Sequence, residues 1–239
     1  MTTRTVVLTG AGGGVGTAAV AQFVAGGDRV VAVDRDERAL EVLAGEPGVV
    51  PVVADISDPE AVRRVIDTAG AVDVLVNNAA VIDRLGRVHE ASLEEWKRLL
   101  DVNLTGPFLL CQQALPGMIE RGRGIIVNVA SVAGLRGGRA GAAYTASKHG
   151  LVGMTQNIAA TLGHLGIRAN VVAPGSIQTG MQEVPQDFPD AIATLARDSL
   201  KPPPAKPEEI ADVITYLASD RASRVNGVAL PVDGGFLAF

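Results

Sequence analysis

Short apolar runs alternate along the chain with longer stretches in which apolar residues recur at helical spacing. The two longest helices are predicted near residues 104–121 and 144–164. Strands that alternate with helices are typical of a parallel sheet covered by helices on both faces, with ligands at the carboxyl ends of the strands. The pattern therefore predicts an α/β fold with a doubly wound parallel sheet of about seven strands. The predicted strands are residues 5–9, 29–34, 49–54, 72–76, 124–129, 168–173 and 228–232.

A glycine-rich turn follows the first predicted strand. Thr9 and Gly10 are followed by Gly14 and Gly16 in the spacing T-G-x-x-x-G-x-G, and an apolar helical stripe begins directly afterwards. Taken alone, this is also the pattern of a plain structural turn. However, the second strand ends at Asp34, 18 residues after Gly16, where a carboxylate can meet the hydroxyls of an adenosine ribose. A glycine backbone admits a pyrophosphate and a helix N-terminus stabilises it, so the two features together predict a Rossmann-type nucleotide-binding corner.

A phenol and an ammonium lie four residues apart in the second long predicted helix. Tyr144 and Lys148 are separated by close to one helical turn and therefore share a face. Ser131 ends an apolar run thirteen residues before Tyr144. A nearby cation favours the phenolate, so Lys148 is expected to lower the pKa of Tyr144. The pair suits proton transfer to or from an alcohol oxygen.

These features resemble the short-chain dehydrogenase/reductase family, and the resemblance runs over essentially the whole chain. The family's further landmarks occur in the expected order: Asp55 after the third strand, Asn77-Asn78-Ala79 after the fourth, Asn103, Pro174-Gly175 after the sixth, and Val232-Asp-Gly-Gly235 near the C-terminus. One position departs from the pattern, because Ala80 stands where the family usually has glycine. If that position needs a positive φ, Ala80 is expected to strain the backbone modestly.

The resemblance implies the strand order 3-2-1-4-5-6-7 and a set of site residues. Tyr144 is expected to act as the general acid/base, Ser131 to donate a hydrogen bond to the substrate oxygen, and Lys148 to hold the ribose of the nicotinamide. Asn103 is expected to position a water that links Lys148 to solvent. The cofactor-binding residues implied are Gly10, Gly14, Val15, Gly16, Asp34, Asp55, Ile56, Asn77, Ala79, Tyr144, Lys148, Pro174, Gly175, Ile177 and Thr179.

The expected cofactor is NAD, with NADP less favoured. Asp34 can accept hydrogen bonds from both ribose hydroxyls, and its charge repels a 2′-phosphate. Gly13 occupies a position where phosphate-binding relatives often carry a basic residue. Arg35 argues the other way, because an arginine beside the acid can receive a phosphate.

The expected function is hydride transfer between a nicotinamide cofactor and a secondary alcohol or ketone. The first alternative is reduction of 3-oxoacyl-carrier thioesters, which Leu165 disfavours because such reductases often place a basic residue there. The second alternative is a non-catalytic dinucleotide-binding protein, which the intact set of four catalytic residues disfavours. The sequence does not identify the substrate.

Composition and charge limit the expected partners. The formal net charge of −5 disfavours nucleic acid and anionic membranes, and seven glycines from Gly10 to Gly27 interrupt the apolar N-terminal stretch. The single cysteine excludes an intrachain disulfide, so a cytoplasmic location is expected. The three histidines lack metal-ligand spacing, so no metal site is expected.

The chain is expected to be one dinucleotide-binding and catalytic domain, residues 1–239, with a substrate lid near 178–206. Residues 178–206 carry apolar side chains and then Pro202-Pro-Pro204. The two longest predicted helices carry more apolar surface than one face against the sheet requires. Because small and apolar helix faces allow close symmetric packing, a homotetramer built partly on these helices is expected.

Overall fold

The computed structural model describes residues 3–178 and 202–238. Its seven strands form one parallel sheet in the order β3-β2-β1-β4-β5-β6-β7. The predicted fold class and strand order are therefore confirmed, and the strand bounds agree to within two residues. The strands are β1 (Thr5–Thr9), β2 (Arg29–Asp34), β3 (Val49–Val53), β4 (Val74–Asn77), β5 (Gly124–Val129), β6 (Ile167–Pro174) and β7 (Ala229–Val232).

Helices connect the strands on both faces of the sheet. The long helix predicted near 104–121 begins at Gly106, because a π-helical turn at Asp101–Thr105 precedes it. Short 3-10 turns lie at Val132–Gly134, Gly163–Leu165 and Asp220–Ala222. The α-helices are α1 (Gly14–Ala25), α2 (Glu37–Glu41), α3 (Pro59–Ala69), α4 (Leu93–Leu100), α5 (Gly106–Glu120), α6 (Ala142–Leu162) and α7 (Pro207–Leu217).

The core consists of two main layers, one on each face of the sheet. Along β1, Val6 and Leu8 point to the face covered by α1 and α7, whereas Val7 points to the face covered by α3, α5 and α6. All three side chains are fully buried. Strands buried on both faces need apolar residues at every position, which explains why they read as continuous apolar runs rather than as alternating ones.

Two predictions fall largely on parts of the chain that the structure does not describe. The predicted lid, 178–206, is described only at residue 178 and from residue 202 onward, and Thr179 lies outside the described residues.

Among the helices of the described ranges, none combines the length and apolar character that a membrane span requires.

Candidate active site

A cavity of about 1000 Å³ opens at the carboxyl ends of the strands. This is the edge at which doubly wound sheets bind ligands, and the volume lies at the upper end of the range of about 300–1,000 Å³ for small-molecule sites. Most sequence-predicted site residues meet here. The predicted residues that line the cavity are Gly10, Gly14, Val15, Gly16, Asp34, Asp55, Ile56, Ala79, Ser131, Tyr144, Lys148, Pro174, Gly175 and Ile177.

The glycine turn after β1 is shaped by close backbone packing. Gly10 has a φ of 67°, in the left-handed region that favours glycine. A β-carbon on Gly16 would overlap the carbonyl oxygen of Gly10, and one on Gly12 would overlap Ala39 at the start of α2. The turn therefore leaves its backbone bare toward the cavity at the N-terminus of α1. Those are the two properties that a pyrophosphate site requires.

The acid at the end of β2 braces the same turn. Asp34 Oδ2 accepts a hydrogen bond from the Gly12 N–H at 3.0 Å, and Oδ1 accepts one from the Asp36 N–H at 3.1 Å. Each carboxylate oxygen can accept a second bond, so capacity remains for a ribose hydroxyl. Arg35 lines the cavity beside Asp34 and also contributes to lowering the pKa of Asp55, after the two hydrogen bonds that Ser57 donates to that carboxylate.

The loop after β4 reaches the cavity through Asn78 rather than Asn77. Asn78 Nδ2 donates to the carbonyl oxygens of Thr9 and Gly10 at 3.0 and 3.1 Å, and its own N–H donates to Thr9 Oγ1. Asn77, a predicted cofactor-binding residue, lies away from the cavity and donates to Asn128 Oδ1 at 2.8 Å. Successive residues at a strand end point to opposite faces, which explains why only one of the two faces the cavity.

Tyr144, Ser131 and Lys148 form a compact polar group on the wall formed by β5 and α6. Ser131 and Tyr144 both line the cavity, and the Ser131 side chain acts to lower the pKa of the Tyr144 phenol. Lys148 Nζ lies 5.5 Å from the centre of the Tyr144 ring and donates to the Val129 carbonyl oxygen at 3.0 Å. Tyr144 is 9% exposed and Lys148 is 1% exposed. The group is therefore almost dry.

Burial decides the protonation of this group. It raises the pKa of Tyr144 to about 12, against the lowering effect of the Ser131 side chain and with a further rise from the Asp83 charge. It also lowers the pKa of Lys148 to about 7. The expected lowering of the Tyr144 pKa by Lys148 is therefore wrong. Burial also disfavours the charged form of Lys148, so its side chain does not offset the desolvation of the phenolate.

Asn103 lies beneath the cavity wall, in the π-helical turn. Its side chain accepts from the Val81 N–H at 2.8 Å and donates to the Val81 carbonyl at 2.9 Å and to Ser147 Oγ at 3.2 Å. The residue is fully buried and does not line the cavity. Its amide thus joins the loop after β4 to the helix that carries Tyr144. π-helical turns occur frequently at functional sites.

Ala80, which stands where the family usually has glycine, does not have the strained backbone that a positive φ would give it. Among the described residues other than glycine, only Leu85 has a positive φ, at 65°. Ala80 therefore adopts an ordinary conformation and lines the cavity. The backbone strain lies five residues later, in the same loop, at a residue that also lines the cavity.

The part of the cavity near Ser131 and Tyr144 is largely apolar. Besides Lys148, Arg139 is the charged side chain in this part of the described lining, and its guanidinium lies 4.2 Å from the centre of the Phe236 ring. No group of three potential metal-ligating side chains occurs within residues 3–178 and 202–238. The apolar residues lining this part are Val81, Ile82, Leu85, Val132, Ala140 and Phe236.

Comparison with known proteins identifies the family. A family model described as enoyl-(acyl carrier protein) reductase matches residues 10–237. The short-chain dehydrogenase/reductase olcF of Penicillium canescens is 33% identical over 255 residues, which cover 96% of this chain and 95% of that protein. The chain belongs to the short-chain dehydrogenase/reductase family. A 3beta-hydroxysteroid dehydrogenase 2 from Eggerthella lenta is 37% identical over 250 residues, covering 99% of this chain and 95% of that one.

Other members of the short-chain dehydrogenase/reductase family have solved structures with the same fold. Levodione reductase superposes with a TM-score of 0.89 at 34% identity, covering 98% of each chain. A 3-oxoacyl-[acyl-carrier-protein] reductase FabG from Thermotoga maritima is 39% identical over 242 residues, or 97% of this chain and 96% of that relative. These relatives are dehydrogenases and reductases. This short-chain dehydrogenase/reductase is accordingly an oxidoreductase that uses a nicotinamide dinucleotide.

The solved family members differ in the cofactor that they contain. A structure titled as a putative NAD(P) dependent gluconate 5-dehydrogenase from Beutenbergia cavernae, with bound NADP at low occupancy, superposes with a TM-score of 0.87. It is 36% identical and covers 99% of this chain and 97% of its own. A 3-ketoacyl-(acyl-carrier-protein) reductase from Brucella melitensis complexed with NADH has a TM-score of 0.86, 32% identity and 97% coverage of each chain. Family membership alone does not choose between the two cofactors.

Proposed function

We propose that this protein transfers a hydride between NAD and a hydrophobic secondary alcohol or ketone, with Tyr144 as the general acid/base. The observation that carries the proposal is that Ser131, Tyr144 and Lys148 line the same cavity as the glycine turn, with the Lys148 ammonium 5.5 Å from the centre of the Tyr144 ring. One cavity thus brings together an acid/base group and a dinucleotide cradle.

The residues present fit a dinucleotide. The bare backbone of Gly10 and Gly16 and the N-terminus of α1 would hold the pyrophosphate, Asp34 the adenosine ribose, and Lys148 the ribose of the nicotinamide. A bound nicotinamide dinucleotide supplies the hydride donor or acceptor. The buried wall around Tyr144 excludes water from the reacting centre.

The chain's own residues move the proton. In ketone reduction Tyr144 donates its phenolic proton to the substrate oxygen, and Ser131 donates a hydrogen bond to that oxygen as its charge develops. In alcohol oxidation the phenolate accepts the proton. A resting pKa of about 12 keeps Tyr144 protonated at neutral pH, which suits the reductive direction. Asn103 holds the Val81 loop against Ser147, three residues after Tyr144, and so supports the position of the acid.

NAD is preferred because the Asp34 carboxylate would lie against a 2′-phosphate. Asp34 already accepts the Gly12 and Asp36 N–H groups, which hold the carboxylate in place at the cavity rim. Arg35 is exposed, and its charge contributes to lowering the pKa of Asp55, which follows β3. This arrangement supports NAD over NADP.

Asp34→Ala is expected to weaken NAD and to narrow its advantage over NADP, because the change removes an acceptor and a repulsive charge together. One lost charge-assisted hydrogen bond corresponds to roughly a 10-fold or larger loss in affinity. Measurement of kcat/KM with both cofactors tests this. A wild-type enzyme that already prefers NADPH would refute the NAD assignment. Asp36→Ala, which removes a carboxylate two residues further along the chain, serves as the matched control.

The substrate class follows from the apolar lining beside Tyr144. A panel of secondary alcohols with NAD, and of the matching ketones with NADH, followed at the NADH absorbance, tests the proposal directly. Activity is expected to rise with the apolar surface of the substrate. No turnover on any member of the panel, with NAD bound, would favour the non-catalytic alternative.

A second candidate function is reduction of 3-oxoacyl-carrier thioesters, which the 39% identity to a FabG reductase favours. Against it, the 3-10 turn after α6 presents Leu165, 36% exposed, at the position where such reductases often carry a basic residue. A 3-oxoacyl thioester included in the same panel, with NADPH, separates the two functions by the ratio of kcat/KM.

We further infer a homotetramer built partly on α5 and α6. From residue 149 to 162 the exposed face of α6 bears no Asp, Glu, Lys or Arg, and Phe108 on α5 is 46% exposed. Uncharged helix faces of this kind allow symmetric pairing. Light scattering with size exclusion at micromolar concentration is expected to give about four times 24.6 kDa. A mass near that of one chain would overturn the assignment. A stable dimer would support symmetric pairing of two chains but contradict the tetramer.

A further inference from the structure

Asp83 is a buried carboxylate next to the active site with no role so far. It lies in the loop between β4 and α4, is 2% exposed, and does not line the cavity, although its neighbours Ile82 and Leu85 do. A buried charge is costly unless it is hydrogen-bonded. The hydrogen-bond donors around the Asp83 carboxylate therefore indicate what the residue does.

The Asp83 carboxylate caps the helix that carries the catalytic tyrosine. Oδ2 accepts the N–H of Tyr144 at 3.0 Å, and Oδ1 accepts the N–H groups of Gly141 and Leu85 at 3.2 and 3.1 Å. Gly141 is the N-cap of α6 and has no side chain to satisfy those donors. Asp83 thus supplies, from 58 residues away in sequence, the cap that most helices take from their own N-cap residue.

The loop and the helix fit closely at this point. A β-carbon on Gly141 would overlap the Asp83 carboxylate, so the glycine leaves the space that the carboxylate occupies. The Ala142 N–H also donates to the Gly86 carbonyl at 3.0 Å. Leu85, with its φ of 65°, is held by the Asp83 bond to its N–H. One carboxylate therefore ties the strained cavity loop to the first turn of α6.

We propose that Asp83 is a positioning residue for the acid–base step: it fixes the backbone of Tyr144 so that the phenol meets Ser131 and the substrate oxygen. The inference rests on the proposed role of Tyr144. Proton transfer depends on heavy-atom distances of about 2.6–3.2 Å, and a misplacement of about 1 Å can lower the rate by about 100-fold. A hydrogen bond to the tyrosine's own N–H is a direct restraint on that distance.

The charge of Asp83 also acts on Tyr144, because it favours the protonated phenol. Burial raises the pKa of Asp83 itself, the three backbone donors lower it, and Glu95 on α4 raises it further. Arg98 on α4 donates to the carbonyl oxygen of Ile82, the residue before Asp83. Loss of the Asp83 charge is therefore expected to move the acidic limb of the oxidation rate, which reports the Tyr144 phenolate, to lower pH.

Asp83→Asn is the test, because it keeps the shape and one carbonyl oxygen but places an NH₂ against a backbone donor. We expect kcat to fall by at least about 10-fold while the Kd for NAD stays within about 3-fold, since Asp83 touches neither ligand. Asp73→Asn is the matched control: Asp73 Oδ2 also accepts a backbone N–H, that of Thr5, at the opposite end of the sheet. It is expected to leave kcat unchanged.

A double-mutant cycle separates positioning from general loosening. In a Tyr144→Phe background no phenolic proton remains to be positioned, so adding Asp83→Asn is expected to lower the residual rate by less than about 2-fold. Any one of three results would overturn the role of Asp83. These are an equal fold-loss of kcat in the wild-type and Tyr144→Phe backgrounds, an acidic limb of the oxidation rate that does not shift, and an unchanged kcat in Asp83→Asn alone. Should Asp83→Asn not fold, Asp83→Ser, which keeps a capping oxygen, gives the same readouts. Full activity of Tyr144→Phe would instead refute the proposed function itself.

Discussion

Tyr144→Phe is expected to lower turnover by at least the roughly 100-fold that general acid–base catalysis typically supplies, with NAD affinity within a few-fold of wild type. The substitution keeps the ring, which packs with Leu99, Ala133 and Ala143, and removes only the phenolic hydroxyl. Substrate and cofactor binding should therefore persist while the proton donor is lost. Steady-state kinetics and cofactor titration measure the two effects separately.

The chain contains a matched control for this substitution. Its other tyrosine, Tyr216, lies on α7 at 36% exposure, where the Arg221 guanidinium is 5.7 Å from its ring centre. Tyr216→Phe removes the same atom from a site outside the cavity and is expected to leave turnover unchanged. If Tyr144→Phe retains wild-type turnover, Tyr144 has no part in the proton transfer.

Lys148→Met is expected to abolish most activity and, unusually, to stabilise the cofactor-free protein near neutral pH. Activity falls, by about 100-fold or more, because the variant loses the group proposed to hold the ribose of the nicotinamide beside Tyr144. Stability rises because burial lowers the pKa of Lys148 from 10.5 to about 7, so the folded protein resists its charged form. Methionine fills similar space without a charge.

The sign of the pH dependence follows from proton binding. Between pH values of about 7 and 10.5 the unfolded chain holds a proton on Lys148 that the folded chain lacks, so wild-type stability rises with pH across this window. At and below pH 7 the cost is on the order of 4 kcal/mol, and the variant avoids it while losing about 1 kcal/mol with the hydrogen bond to Val129. Above about pH 10.5 the advantage disappears.

Urea unfolding at matched protein concentration, at about pH 6.5 and about pH 9.5, measures this difference. The variant is expected to exceed the wild type clearly at the lower pH and by less at the higher one. Lys97→Met on the exposed face of α4 is the control, because it removes a charge that is already solvated. Equal stabilities of wild type and Lys148→Met at both pH values would contradict the burial of a neutral lysine.

The sequence alone was sufficient for the fold and for the outline of the site. The strands could be read because a parallel sheet covered on both faces needs apolar residues at every strand position. The glycine turn could be read because bare backbone at a helix N-terminus requires glycine at fixed spacing. The Tyr144 and Lys148 pair could be predicted because the two residues lie about one helical turn apart and so share a helix face. All three are local signals, carried by residues close together in the chain.

Tertiary structure decided what depends on contacts between distant segments. Asn78 and not Asn77 faces the cavity because the end of β4 sets which side chain points outward. The pKa of Tyr144 is raised, not lowered, because the depth of burial comes from the whole fold and outweighs one neighbouring charge. No local sequence pattern predicts the role of Asp83, since the Gly141 and Tyr144 N–H groups that donate to it lie 58 and 61 residues further along the chain. Spacing along the chain identifies which groups can do the chemistry; packing between segments determines where they point, how dry they are and how they are held.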